Sequence, residues 1–199
     1  VTTQSLANCR FSHAGLAHGD NCERETFRLD GQGDADALSN CPTLTGNVVI
    51  AATATGTIDL DRIDKISGNL SNEECFDGAD NDDNTQALLD GRLRAWADCS
   101  GLESLASNTL THITGHVTLR SLVGITSVNL RSLEIVDSTL SVEFLPHLQR
   151  MNLNSLETVE SLFVLHNRQL VNLTMPQLNN VTAAEESTVE LVDLGIYQW

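Results

Sequence analysis

Hydrophobic positions along the chain recur in blocks, and the blocks carry more structural signal than any single apolar run. From Leu110 they fall at Ile113, Val117, Leu119, Leu122, Ile125, Val128 and Leu130. The next block repeats those offsets with Leu133, Val136, Leu140, Val142, Leu145, Leu148, Met151 and Leu153. A third supplies Leu156, Val159, Leu162, Val164, Leu170, Leu173 and Met175, and a fourth opens at Leu178 and Val181 before loosening toward Val189, Leu191 and Leu194. Upstream, Ile63, Ile66 and Leu70 open one block, and Cys41, Leu44, Val48 and Ile50 open the one before it. Segments such as Val117-Thr118-Leu119 and Leu140-Ser141-Val142 alternate with a period of two, which sets their apolar side chains on one face of a strand. A block this short cannot bury that face alone, whereas stacking on its neighbours gives a continuous core. The pattern predicts an all-β solenoid of about six coils. Thr, Val, Ile, Ser and Asn fill the blocks where a helix would carry Ala, Glu and Lys.

The repeat is interrupted once. After Ile66-Ser67-Gly68-Asn69-Leu70-Ser71 it stops, and it resumes at Leu102 and Leu105, so residues 72–100 read as an insertion. Residues 1–40 hold four glycines, Gly15, Gly19, Gly31 and Gly33, and little periodicity. They read as a disulfide-tied N-terminal cap over the open end of a solenoid spanning 41–199, since exposed sheet edges invite pairing with other chains.

The segment Cys41-Pro42-Thr43-Leu44-Thr45-Gly46-Asn47-Val48-Val49-Ile50 resembles the opening of receptor L domains, the leucine-rich β-helices of the insulin and epidermal growth factor receptors. The Gly-Asn element returns at Gly68-Asn69-Leu70 and, altered, at Gly115-His116-Val117. The later blocks, with Leu133-Glu134-Ile135-Val136 and Leu156-Glu157-Thr158-Val159, are similar to GPI-anchored fungal cell-wall organisation and sporulation proteins of the same fold. The resemblance covers residues 41–199. It implies a right-handed β-helix that works by surface recognition or wall organisation and is not an enzyme. Glycine before each strand is expected where the backbone takes a positive φ between one coil side and the next.

Charge narrows the partners. Eleven Lys and Arg stand against 27 Asp and Glu, a net charge of −16, while 41% hydrophobic residues exclude a disordered acidic tail. Such a surface repels nucleic acid and anionic lipid and favours cations. No apolar run approaches the roughly 20 residues of a membrane span, so direct membrane insertion is not expected. The acidity concentrates in the insertion, where Glu73 to Asn84 holds six carboxylates and two carboxamides. Hard oxygen ligands at alternating positions suit Ca²⁺, with Asp77, Asp80, Asp82 and Asp83 as the candidate ligands. A solvated acidic loop is the competing reading. The loop is not an EF-hand, because counting from Asp80 places Thr85 where glycine is required and Gly91 where the bidentate glutamate belongs. The run resembles Cys-x-Asp-Gly-x-Asp-Asn-Asp segments of secreted bacterial repeat proteins, and that likeness implies a Cys75–Cys99 disulfide.

Five cysteines without a Cys-x-x-Cys pair point to disulfides rather than zinc, and Cys41 has either Cys9 or Cys22 open to it. Together with Asn-x-Ser/Thr sequons at Asn69, Asn172 and Asn180, candidate glycosylation sites, they indicate an extracellular location. Catalytic constellations are thin. His112 and His116 flank a turn instead of sharing a helical face, and no Gly-x-Ser-x-Gly elbow occurs. Asp59 and Asp61, with Asp64 nearby, are a carboxylate pair that alternation would place on a common outward face, as solvated edge charges would also be. Trp96 is the first candidate for stacking on a sugar. The expected function is an extracellular module that recognises a protein or glycan. The alternatives are a calcium-dependent assembly scaffold and a carbohydrate-active β-helix enzyme.

Overall fold

A computed structural model describes residues 22–73, 101–182 and 189–195. The strands are β1 (Glu23–Leu29), β2 (Thr43–Ile50), β3 (Gly56–Asp59), β4 (Lys65–Ile66), β5 (Leu70–Asn72), β6 (Leu102–Ser107), β7 (His112–Ile113) and β8 (Val117–Arg120). They continue with β9 (Ser127–Leu130), β10 (Ile135–Glu143), β11 (Arg150–Asn152), β12 (Thr158–Leu165), β13 (Asn172–Thr174), β14 (Asn180–Val181) and β15 (Val189–Val192). A single short helix among the described residues, α1 (Gln32–Ala37), follows β1. Every pairing among them is parallel and joins one coil to the next, giving a β-solenoid of about six turns. A ten-stranded sheet, called A here, runs along one side, bent where β4 gives way to β5 and β7 to β8. A five-stranded sheet B, in the order β13-β11-β9-β6-β3, forms another side.

The repeat offsets become columns of buried side chains. In sheet A, Leu44, Ile66, Ile113, Val136 and Val159 stack in register and are all 0% exposed. In sheet B the column is Ile58, Leu105, Val128 and Met151. Each side chain is covered by its counterparts above and below, so burial that no coil could achieve alone is complete within the stack.

The first strand starts the stack earlier than the repeat suggests. Only Phe27 and Leu29 of β1 are buried, yet the strand pairs in parallel with β2. The disulfide that Cys41 makes is with Cys22, 19 residues away, and it ties the start of β1 to the entry of β2. Helix α1 lies against β3, the edge strand of sheet B. There the Gln32 carboxamide imitates a neighbouring strand: Oε1 accepts the Asp59 N–H at 2.6 Å and Nε2 donates to the Asp59 carbonyl at 3.1 Å. That edge is thereby closed to other chains.

The glycines of the Gly-Asn element answer two different demands. Gly46 has φ +137° and lies against the Arg24 carbonyl of β1. Gly68 is needed for space rather than for positive φ, because a Cβ there would come within 2.4 Å of the Gly46 carbonyl oxygen. The coils are simply too close at this bend for a side chain.

Candidate recognition surface

Strand alternation leaves sheet B with a regular outward face. Thr57, Ser104, Ser127, Arg150 and Asn172 form one column, and Asp59, Ala106, Asn129, Asn152 and Thr174 a second. Adjacent strands stand about 4.8 Å apart, so hydroxyls repeat at that spacing through Thr57, Ser104 and Ser127 and carboxamides through Asn129 and Asn152, with Arg150, Asp59 and Ala106 among them. Neighbours bond along the columns, Ser104 Oγ to Thr57 Oγ1 at 3.0 Å and Thr174 Oγ1 to Asn152 Oδ1 at 3.4 Å. Asn129 Oδ1, at the centre, is buried and accepts no hydrogen bond among the described residues. Chemically the face offers donors and acceptors on short side chains.

A ridge runs down the corner where sheet A turns toward sheet B. Ser121, Phe144, His166 and Asp193 each follow the end of a sheet A strand, and all four have φ between 54° and 58°. The left-handed backbone turns their N–H groups to the following coil: Ser121 donates to Glu143 at 3.2 Å, Phe144 to Leu165 at 3.1 Å and His166 to Val192 at 2.9 Å. Earlier in the stack the same corner points the other way, with Ala51 donating to Leu29 and Glu73 to Ile50. The polarity therefore reverses between the coil that ends at Glu73 and the one that ends at Ser121. Asn72 bridges the reversal, its Oδ1 accepting the Arg120 N–H at 2.8 Å and its Nδ2 donating to the Arg120 carbonyl at 2.9 Å.

On the outside of the ridge the side chains stack in turn. The Arg120 guanidinium lies 5.5 Å over the Phe144 ring, and that ring stacks on His166 at 4.7 Å. His166 Nδ1 is 3.3 Å from Asp193 Oδ2, which also accepts from Arg168 Nε at 2.7 Å. The bond from Arg168 holds the Asp193 carboxyl below its usual range, with His166 contributing. Behind the ridge the fully buried Asn167 accepts the Leu145 N–H at 2.9 Å and donates to the Val142 carbonyl at 2.8 Å. The sequence offered only the near-regular spacing of Ser121, Phe144 and His166 as a signal, which lengthens before Asp193, and the ridge residues were not among the sequence candidates.

The carboxylate pair lies beside a cavity of about 340 Å³ between α1 and the turn after β3, lined by Gln32, Asp36, Ser39, Asp59, Asp61 and Arg62. Asp59 Oδ1 accepts the Asp61 N–H at 3.0 Å. Burial pushes the Asp59 carboxyl up, while Asp61 is held down, first by the N–H of Asn108 at 2.5 Å. The two carboxylates thus differ in proton affinity, and both are engaged in holding the turn. Asp64, the third acid of the group, is exposed, and its carbonyl accepts the Thr111 N–H at 2.9 Å.

The remaining candidates separate by position. His112 Nε2 bonds Asp137 Oδ2 at 2.9 Å, and His116 Nδ1 lies 3.0 Å from Ser138 Oγ, so the two histidines have different partners. Glu73, the first acid of the insertion, is bound by Arg28 Nε at 2.8 Å and accepts the Ala52 N–H at 3.1 Å, fastening the root of the insertion to the first two coils. Arg28 also lowers the proton affinity of that carboxyl. Asp77, Asp80, Asp82, Asp83, Cys75, Cys99 and Trp96 lie outside the described residues. Among the described residues no group of three or more His, Cys, Asp or Glu side chains is placed to hold a metal ion. No helix there is long and apolar enough to cross a membrane. Asn69 is half-buried, whereas Asn172 and Asn180 are exposed. Comparison with family models, with curated proteins and with solved structures returns no match to this chain.

Proposed function

We propose that the chain is an extracellular, non-enzymatic recognition module of receptor L-domain type, serving cell-surface or cell-wall organisation, with the outward face of sheet B from β3 to β11 as its ligand surface. The observation that carries this reading is the in-register rows of polar side chains, Thr57, Ser104, Ser127 and Arg150 beside Asp59, Asn129 and Asn152, on the four parallel strands β3, β6, β9 and β11. Hydroxyl-rich glycans and extended peptide segments both present hydrogen-bonding groups that such an array can match, and a rigid solenoid orders its side chains before binding. The Cys22–Cys41 disulfide suits an oxidising compartment. The acidic insertion is assigned a structural Ca²⁺ through Asp77, Asp80, Asp82 and Asp83; calorimetric titration with CaCl₂ is expected to show binding, and no heat at millimolar calcium would remove that element.

Glycan and protein-ligand arrays probed with the full chain and with Ser127→Arg test the assignment. Ser127 lies in mid-face between Ser104 and Arg150, so an arginine there obstructs the array without entering the core. The expected result is a bound ligand class for the native chain and at least about tenfold weaker binding for the variant, equal to about 1.4 kcal/mol. Binding that ignores the substitution, or release of reducing ends from pectin, β-glucan or chitin, would overturn it.

A further inference from the structure

The three sequons read alike in the sequence, but the fold places them differently. Asn69 sits at the bend of sheet A between two coils. Its N–H donates to Asn47 Oδ1 at 3.0 Å, its carbonyl accepts the Val48 N–H at 2.7 Å, and its Oδ1 accepts the His116 N–H at 2.8 Å. Asn47 and Asn69 therefore form a ladder in which each carboxamide binds the backbone of the next coil. A Cβ on Gly115 would come within 2.1 Å of Asn69 Oδ1, which measures how closely the next coil lies on this group. Because the amide is planar, fixing Oδ1 also fixes Nδ2.

Asn172 and Asn180 have no such duty. Both are exposed and face outward, Asn172 from β13 beside Arg150 and Asn180 from β14 beside Thr158. Their backbone N–H groups donate to Gln149 and Glu157, each at 3.1 Å, while among the described residues no hydrogen bond involves either carboxamide. Among the described residues, too, no strand pairs with the far edge of β13, and both asparagines keep an exposed surface.

We propose that Asn172 and Asn180 carry N-linked glycans in the folded protein and that Asn69 does not. The proposal rests on the extracellular reading above. Transfer joins Nδ2 to the anomeric carbon of an oligosaccharide carried on a lipid pyrophosphate. The bond from that carbon to the pyrophosphate oxygen breaks, the lipid pyrophosphate leaves with the electron pair, and one amide proton passes to a base of the transferase. Chains modified at Asn69 before folding carry a glycan on the carboxamide whose oxygen must bond the next coil at His116, and they are held back from the folded pool.

The test is to secrete the full chain from a eukaryotic host behind a signal sequence, then remove N-glycans with an amidase in ¹⁸O water and weigh the peptides. Asn172 and Asn180 are expected to carry the label in the secreted protein, and Asn69 to remain unlabelled. Labelled Asn69 in secreted, folded chains, or unlabelled Asn172 or Asn180, would overturn the assignment. Variants give a second reading. Asn172→Gln and Asn180→Gln are each expected to remove one glycan from the gel mobility with little change in Tm, and Asn69→Gln to lower Tm without altering mobility; the reverse pattern also overturns it. Since the host supplies the secretory route, occupancy is decided by the sites themselves. Finding the native protein in the cytosol would instead refute the extracellular reading alone.

Discussion

At the scale of single residues, the informative groups are polar side chains that take the place of backbone. Gln32 acts as a strand beside Asp59, Asn72 bridges Arg120, and Asn167 satisfies the Leu145 N–H and Val142 carbonyl inside the core. Asp59 differs from these, because it keeps a carboxylate where burial disfavours the charge. Its folded-state proton affinity is raised above that of the unfolded chain, so the folded state binds the proton more readily. At neutral pH the ionised group therefore costs stability, and the cost disappears as pH falls through the raised value to the ordinary carboxylate range near pH 4. Asp59→Asn keeps an oxygen to accept the Asp61 N–H and removes the charge. It is expected to raise stability at pH 7 by roughly 0.5 kcal/mol, a small figure because water still reaches the group. Thermal melts across pH check this: the advantage over the native chain should shrink toward zero below about pH 4. A variant less stable at pH 7 would mean that the carboxylate has an attractive partner there.

At the scale of elements, the bend of sheet A is the most constrained feature. A Cβ at Gly68 would meet the Gly46 carbonyl oxygen at 2.4 Å and its carbon at 2.6 Å, and backbone in mid-stack has nowhere to go. Gly68→Ala is therefore expected to destabilise by about 2–4 kcal/mol. Gly33, inside α1 with nothing within 4 Å of where a Cβ would stand, is the control. Gly33→Ala is expected to gain about 0.5–1 kcal/mol through helix propensity, and denaturant midpoints separate the two signs. These glycines also mark how far the sequence could be read. The columns were legible because burial in a solenoid depends on one offset repeated many times, and Leu44, Ile66, Ile113, Val136 and Val159 stack as that offset requires. The reason for glycine was only half legible, since positive φ applies to Gly46 while Gly68 answers to a contact 22 residues away that no local pattern encodes. The partner of Cys41 stayed open because β1 is mostly charged and exposed, and only its pairing with β2 brings Cys22 across. The corner ridge was illegible for a related reason: spacing reveals which residues share a corner but not which way their N–H groups turn.

At the scale of the whole molecule, the two ends of the stack are unlike. The first is closed by α1, by the Gln32 carboxamide and by the Cys22–Cys41 disulfide. At the other, exposure rises abruptly at unchanged register. Leu191 is 42% exposed where Val142 and Val164, below it in the same column, are 0%. Val189 is 43% exposed above Leu162 at 0%. In a solenoid each coil is stabilised by its neighbours, so a coil whose column side chains stay exposed is the first to open. Amide hydrogen exchange is expected to be fastest in β14 and β15 and slowest in β7 and β10. A pair of substitutions at one register position sharpens the expectation. Val164→Lys buries an unpaired charge and should cost several kcal/mol or prevent folding, whereas Leu191→Lys lets the ammonium reach water and should cost about 1 kcal/mol or less. Exchange in β15 as slow as in β10, together with similar losses for the two variants, would show that the last coil is covered as fully as those before it.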